Sequence, residues 1–391
     1  MHDLIIVGAG IAGLRVGIET SKKGIKCCIL EKYDVGGRIS TFKKHIPGFG
    51  PVQWESGAGR IASSHKKVLK LLKKYGLTFV PYSSNSYYDG KLNNFNDLID
   101  VYLEPLRNLD PDILATHTLG ELLSLTIGDA NAKSFYHKFP YYSEIHVLRA
   151  DVALHAFSNE MGSAHFGGCK EGLSSLINAM RDEFISLGGT IITGITVVKI
   201  HKNTVYCEDK FIEKEFRAKN IVLAIPSNAL KHIKGVNKDV LKHLRMEPLL
   251  RIYAVFKTPV NIPRIVTASP IRNIIPISPH IIMISYTDGD DTRVWRKKEQ
   301  DDVMKELRKI VDVPDPIFFK KEYWGDGCTY WLPGKYNVEQ ESEKSLQIGE
   351  NVFLCGESYA VNQCWIESAL EQADKLLGFE GFRENLNLKK F

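Results

Sequence analysis

The chain has 391 residues, 44% hydrophobic, 25% charged and 10% aromatic, with a net charge of +5. That length asks for two domains, and the composition excludes a disordered or fibrous chain. The excess charge lies in scattered pairs (Lys22–Lys23, Lys66–Lys67, Lys73–Lys74, Lys297–Lys298) with no dense basic stripe, which argues against nucleic acid as a partner.

In chain order, "DLIIVGAG" reads as a buried parallel strand ending in glycines. "IAGLRVGIETSKKG" reads as a helix stopping at Gly24, and "IKCCILE" as a second buried strand. The apolar start lacks a basic leader and is too short to span a bilayer, and no later run is long enough. The expectation is a soluble, cytoplasmic protein without signal peptide or transmembrane helix. Over 66–76, Val68, Leu69, Leu71, Leu72 and Tyr75 share a helical face, with Ser63 or Ser64 placed to cap it. Residues 90–165 show short apolar helical patterns and no clean strands, and read as a helical insertion.

"GGCKEGLSSLINAMRDEFISLGGTIITGITVVKI" then gives a helix, a Gly-Gly stop and strands, and "YCEDKFIEKEFRAKNIVLAI" gives strand pieces ending at Pro226. Residues 250–290 read as a meander of strands, and "VWRKKEQDDVMKELRKIV" as one helix. The tail "NVFLCGESY…WIESALEQADKLLGF" is a buried strand, a turn and an amphipathic helix. Strand–helix–strand signatures thus sit at both ends and near 165–226. The predicted organisation is α/β: a discontinuous Rossmann-like domain (1–62, 163–232, 346–391) with an inserted α+β domain of mixed sheet and helices (63–162, largely helical, and 233–345). The seven cysteines show no CxxC and no paired histidine spacing, so reduced thiols are expected, with neither a zinc site nor a disulfide framework.

"GAGIAG" sets Gly8, Gly10 and Gly13 in GxGxxG spacing after a strand and at the start of a helix, with Ile11 and Ala12 between. Glu31 closes the second strand, followed by Lys32. That context is the one a dinucleotide fingerprint requires. Gly8 permits the turn, Gly10 lets the main chain approach a pyrophosphate, and Gly13 lets the helix pack on the sheet. The helix N-terminus favours the phosphates, and Glu31 accepts from ribose hydroxyls. "VGGRIST" adds Gly36, Gly37 and Arg38, a second close approach with a donor fork for phosphate. An extended dinucleotide has use for that element, which favours FAD over NAD.

These residues resemble the flavin amine oxidase superfamily. "GAGIAG…E…GGR" is similar to its N-terminal FAD fingerprint, and "ESGAGRI" (Gly57, Ala58, Gly59, Arg60) to the segment beside the flavin ring. "TVVKI" resembles the strand whose first valine, Val197, supports the adenine end. "IVLAIPSNAL" resembles the strand and turn leading back into the substrate domain, and "YWLPG" the stretch lining the isoalloxazine. "LCGESY…CWIESAL" resembles the closing strand and helix. The resemblance implies that Gly356 and Glu357 reach the flavin ribityl. It also implies that the helix beginning at Trp365–Ile366 faces the flavin's pyrimidine edge, and that Trp365 either walls the substrate or is core.

Two departures stand out. Where the family has a lysine near flavin N5, "PLLRIYAVF" places Arg251, suited to a structural ion pair or to a catalytic charge; the change puts fast chemistry with O₂ in doubt. Cys328 lies near the family's covalent attachment position but two residues out of register, so non-covalent FAD is expected. Gly327 replaces one wall of an aromatic cage, leaving Tyr330 or Trp331 as substitutes.

The resemblance implies an FAD-dependent oxidoreductase acting on the C–N bond of a small amine or amino acid, with O₂ as acceptor and no metal. Two alternatives are a C–C desaturase or isomerase of the same fold, and a flavoprotein whose catalysis is lost or secondary. "GAGRI" resembles most the L-amino-acid oxidase branch, where the matching arginine grips a carboxylate; contact with flavin or a neighbouring acid is the other role for Arg60.

Overall fold

The computed structural model describes residues 1–83, 85–157, 165–209 and 212–388. The chain opens with β1 (His2–Val7), α1 (Ile11–Ser21) and β2 (Cys27–Leu30). Both strands are nearly continuous apolar runs and pair in parallel, Leu4 opposite Cys27 and Val7 opposite Leu30. The turn into α1 demands glycine twice. Gly8 has φ +103°, and a Cβ on Gly13 would stand 2.1 Å from the Gly8 carbonyl oxygen.

Next come β3 (Thr41–Ile46), β4 (Gly50–Glu55), β5 (Ile61–Ala62) and α2 (Lys66–Lys74). α2 buries Val68, Leu71 and Leu72, as its spacing predicts. Its cap is neither Ser63 nor Ser64. His65 holds the N-cap position without a side-chain bond. The Glu367 carboxylate instead accepts the N–H groups of Lys67 at 2.8 Å and Val68 at 2.9 Å. A carboxylate serves that end better than a hydroxyl because the exposed N–H groups carry partial positive charge.

β6 (Phe79–Pro81), β7 (Ser86–Tyr88) and β8 (Lys91–Asn93) precede a run of helices. These are α3 (Phe95–Leu98), α4 (Pro111–Thr116), α5 (Leu119–Ile127), α6 (Asp129–Lys138), α7 (Ser143–His146) and α8 (Ala150–Ala156). The reading of 90–165 as strand-free is corrected at its start, because β8 pairs with β7. Asp89 (φ 49°) and Gly90 (φ 71°) form the two-residue turn that closes this hairpin. The boundary expected at 162–163 lies outside the described residues, as do Lys210 and Phe211 of an expected strand.

β9 (Phe166–Cys169), α9 (Leu173–Ser186), β10 (Thr190–Ile192), β11 (Thr196–His201), β12 (Thr204–Asp209), β13 (Ile212–Leu223) and α10 (Ser227–His232) follow. Then come β14 (Leu244–Val255), β15 (Arg264–Val266), β16 (Asn273–Ser278) and β17 (Ile281–Asp288). The helix expected over 294–311 is broken into α11 (Thr292–Trp295) and α12 (Gln300–Leu307). The intervening Arg296–Glu299 offers no apolar side chain to bury, and Glu299 is extended. β18 (Phe318–Trp331), α13 (Val338–Lys344), β19 (Gln347–Gly349), β20 (Val352–Leu354), α14 (Ile366–Gly378) and α15 (Glu380–Asn385) complete the order.

Two large sheets organise these elements. The first has eight strands, in the order β10-β2-β1-β13-β12-β11, with β20 beside β13 and β19 beside β20. Its β10, β2, β1, β13 and β20 pair in parallel. They come from both ends and the middle of the sequence, as the Rossmann-like reading requires. α1, α9 and α14 contribute Leu14, Leu176, Met180, Leu370 and Ala373 to one core with Leu4 and Ile6 of the sheet. The second sheet has seven strands, β18-β14-β17-β16-β15-β7-β8, and is antiparallel except where β15 meets β7. β3 with β4, and β5 with β9 and β6, form two small sheets.

The expectation of wholly reduced thiols is corrected. Cys328 of β18 and Cys364, just before α14, form a disulfide with Cα atoms 5.2 Å apart. Cys27, Cys28, Cys169, Cys207 and Cys355 are free and buried.

Candidate functional site

The glycine segments singled out in the sequence meet through their main chains. The Gly36 N–H donates to the Ala9 carbonyl at 3.0 Å, and the Ala58 N–H to the Arg38 carbonyl at 3.0 Å. Contact this close leaves no room for side chains: a Cβ on Gly57 would lie 2.0 Å from the Arg38 oxygen, and one on Gly59 2.8 Å from Glu55 Cβ. A Cβ on Gly10 would meet nothing within 4 Å, so the space over the start of α1 is open.

Buried Glu31 sits at the end of β2. One of its carboxylate oxygens accepts the Ala9 N–H at 2.7 Å and the other the Tyr33 N–H at 2.8 Å. The Ile195 N–H donates to the Glu31 carbonyl at 2.9 Å, which brings the start of β11, with buried Val197, beside this corner. Lys32 is exposed, its ammonium 5.0 Å from the Tyr33 ring centre.

A second corner forms around Glu357, next to Gly356 (φ +124°) at the end of β20. Arg38 pairs with Glu357 at 2.7 Å and donates to the Gly327 carbonyl at 3.3 Å. Glu357 also accepts the N–H groups of Cys364 at 2.8 Å and Thr329 at 3.3 Å. One carboxylate therefore joins the second glycine loop, β18 and the approach to α14. Among the described residues, Cys328, Glu357 and Cys364 form the one cluster with metal-ligand atoms, all within 4.8 Å of one another. Joined as a disulfide, the two sulfurs are not thiolate ligands.

Among the described residues Arg251 makes no ion pair. Its Nη1 donates to the Gly57 carbonyl and, at 3.2 Å, to that of Glu55. Tyr253 supports the same segment, its hydroxyl donating to Glu55 O at 2.8 Å. The guanidinium also lies 5.4 Å from the Tyr286 ring centre, and its Nε has no partner among the described residues.

Arg60 enters a chamber of aromatic rings. It donates to the Tyr141 hydroxyl, and its guanidinium carbon stands 5.0 Å from the Tyr141 ring centre, 5.5 Å from that of Phe166 and 5.5 Å from that of Trp365. Among the described residues no carboxylate pairs with Arg60 within 4 Å. Trp365 stacks on Phe166 at 6.1 Å and meets His65 edge-on at 4.9 Å. Buried Ile366 begins α14.

Tyr330 is buried and charge-coupled to Glu144 and Asp288. Asp288 caps the start of α7 by accepting the Tyr142 and Ser143 N–H groups at 2.9 and 2.8 Å. Trp331 is not a chamber wall. It is fully buried in the core, with its indole N–H given to the Ala360 carbonyl at 2.9 Å, so the cage substitution expected of it is corrected.

Burial sets the charge state of several groups around the chamber. Burial, helped by the Arg60 charge, lowers the His65 pKa to about 4. Burial and the neighbouring Asp288 raise that of Glu144, against the opposing pull of Arg60, and its Oε2 is buried without a partner. Burial also holds the Tyr330 hydroxyl well above its ordinary value. Tyr141, Glu144 and Phe166 carry no motif and come near Arg60 only through folding, whereas His65 follows it by five residues; the aromatic run "FPYYSEIH" is the sequence signal for Tyr141 and Glu144.

These features fit a flavin dinucleotide. α1 and α14 both start without a side-chain cap, at Gly10 and Trp365, leaving N–H groups for phosphate and for an electron-rich ring edge. The one acid in the first turn of α14, Glu367, is committed to α2. Asn362 Oδ1 and Gln363 Oε1, shortly before α14, are buried acceptors without partners among the described residues. Each Glu31 oxygen retains a lone pair for a hydroxyl.

The comparisons with known proteins agree. A family profile for flavin-containing amine oxidoreductases matches residues 146–375, and one for NAD(P)-binding Rossmann-like domains matches residues 6–75. No curated protein matches the sequence. Wild-type putrescine oxidase bound to putrescine superposes with a TM-score of 0.74 at 16% identity, over 99% of this chain and 98% of that one. A point variant of putrescine oxidase gives 0.76 at 16% identity, over 96% and 97%. At such identity the likeness is one of fold. No helix among the described residues is long and apolar enough to cross a membrane. The first profile covers more than half of the sequence, and the chain belongs to the family of flavin-containing amine oxidoreductases, as an FAD-dependent oxidoreductase of mixed α/β fold.

Proposed function

We propose that the chain oxidises the α-carbon–nitrogen bond of an amino acid, with Arg60 holding the substrate carboxylate. The observation that carries this reading is a guanidinium flanked by Tyr141, Phe166 and Trp365 that pairs with no carboxylate among the described residues. A planar fork of donors in a dry chamber binds a carboxylate in two parallel bonds and fixes the neighbouring carbon. In this reading the FAD is non-covalent, because the Cys328 sulfur is taken by Cys364. Gly8, Gly10, Ile11, Ala12 and Gly13 cradle the pyrophosphate, Glu31 and Lys32 flank the adenosine ribose, and Val197 supports the adenine. Gly37, Arg38, Gly356 and Glu357 hold the middle of the cofactor. Gly57, Ala58, Gly59, Trp365 and Ile366 line its ring. Residues 1–62, 163–232 and 346–391 form the cofactor half and the rest the substrate half.

When bound, the flavin supplies the hydride acceptor at N5, leaving an imine that water hydrolyses. The protein's part is to bind, orient and exclude water. Trp365, Phe166 and Tyr141 keep the amine dry, which favours its neutral, reactive form. Arg251, anchored on the Glu55 and Gly57 carbonyls, holds the segment carrying Arg60 and sets a fixed positive charge in the site. O₂ is the proposed acceptor.

Glu144 supports a second reading. A buried, partnerless carboxylate oxygen near the same chamber suits an amine cation, and the substrate would then be a simple amine or diamine. Anaerobic mixing of the flavin-loaded protein with amino acids, monoamines, diamines and polyamines separates the two. Amino acids should bleach the flavin, and Arg60→Ala should abolish that bleaching while retaining the cofactor. Bleaching by diamines that survives Arg60→Ala and is lost in Glu144→Gln would select the second reading. Peroxide formed on admitting air tests O₂ as acceptor.

A further inference from the structure

We propose that Cys328 and Cys364 are a reversible dithiol–disulfide couple that controls how tightly the protein holds its flavin; this rests on the cofactor placement proposed above. Three observations carry it. The disulfide ties β18 to the residue preceding Trp365 and α14, elements that Glu357 also joins here. Both sulfurs lie within 4.8 Å of the Glu357 carboxylate, which also holds Arg38. Cys364 has φ 71°, a conformation that a residue with a side chain keeps only when its surroundings hold it there.

The remaining cysteines do not compete. All five are buried, and burial pushes their thiols up, to about 11 for Cys27, Cys28 and Cys169 and to about 12 for Cys207 and Cys355. Few thiolates form there, and exchange needs a thiolate. Cys328 and Cys364 are part-exposed, unlike the other five.

A reductant thiolate attacks one sulfur and expels the other cysteine as a thiolate. The reductant's second thiol then closes its own disulfide and releases the first cysteine. Two electrons pass to the pair, one S–S bond is exchanged for another, and the reductant's two protons finish on Cys328 and Cys364. Cys364 then relaxes from its left-handed conformation and withdraws its N–H from Glu357. Loss of one charge-assisted bond at the corner proposed to hold the flavin predicts roughly tenfold weaker retention.

The test treats the flavin-loaded protein with dithiothreitol, alkylates it, maps the labelled peptides and follows flavin release on dilution by fluorescence. Reduction should add label at Cys328 and Cys364 alone and speed release about tenfold, and reoxidation should reverse both effects. Cys328→Ser and Cys364→Ser should release flavin at the reduced rate with or without dithiothreitol. Labelling of both cysteines before reduction, or release indifferent to reduction, overturns the proposal. Arg38→Ala separates the two ideas. Faster release in that variant, with none on reduction, leaves the cofactor placement standing and removes the switch. No change in either removes the placement as well.

Discussion

The two halves of the candidate site are built from different materials. Around Gly8, Gly13, Gly36 and Gly57 the contacts are main chain to main chain, and an added methyl would stand within 3 Å of another backbone atom at each of these positions. Around Arg60 the contacts are ring faces and one hydroxyl, 5.0 to 5.5 Å from the guanidinium carbon. A backbone cradle tolerates almost no substitution, because carbonyls cannot step aside. A chamber of side chains can be refilled, so it is the part more open to substitution.

That contrast can be broken at several points. The largest effect should come from Gly13→Ala, whose methyl meets the Gly8 carbonyl. Loss of flavin colour and about 3 kcal/mol of stability in urea unfolding are expected; a yellow, stable variant would show the cradle to be plastic. His65 comes next. Its folded pKa of about 4 lies below the ordinary 6.5, so the stability it supports is complete above pH 6.5 and lost as pH falls toward 4. The loss should reach about 3 kcal/mol. His65 Nδ1 accepts the Ala62 N–H at 3.2 Å; His65→Asn, which keeps an acceptor there but does not titrate, should flatten that part of the stability profile.

Glu367→Ala removes both bonds that cap α2 and should cost about 2 kcal/mol by thermal unfolding without altering flavin content. Arg60→Lys is the mildest change. Keeping the charge but losing the fork should raise the KM for an amino acid about tenfold with flavin retained. An unchanged KM would mean that the chamber uses Arg60 as a charge only.

The same contrast governs how far the sequence could be read. Gly8, Gly10 and Gly13 announce themselves because a tight turn and a close helix require glycine at fixed spacing. Arg60 could be singled out through its glycine neighbours, but Tyr141 and Phe166, which enclose it, lie 81 and 106 residues away in sequence and belong to no repeat or motif. Ser63 and Ser64 had the right chemistry for a cap, yet a carboxylate about 300 residues distant took the position. Trp331 had the right chemistry for a cage wall, and its full burial and its indole bond to Ala360 show it to be core. Cys328 and Cys364 are 36 residues apart, and nothing in that interval signals a bond. Local backbone demands are written locally, whereas partners chosen by the tertiary fold are not.

The 12-residue strand β13 sets a schedule for biosynthesis. Its first half closes a hairpin with β12, and its second half runs beside β1, so both can form early. Its remaining flank pairs with Val352–Leu354, 129 residues after Leu223. On a ribosome that interval is on the order of ten seconds, during which the edge at Ile221–Leu223 waits unpaired. The eight-stranded sheet is therefore finished late, and in a newly made chain that apolar edge is where aggregation would begin and where a chaperone would find its hold.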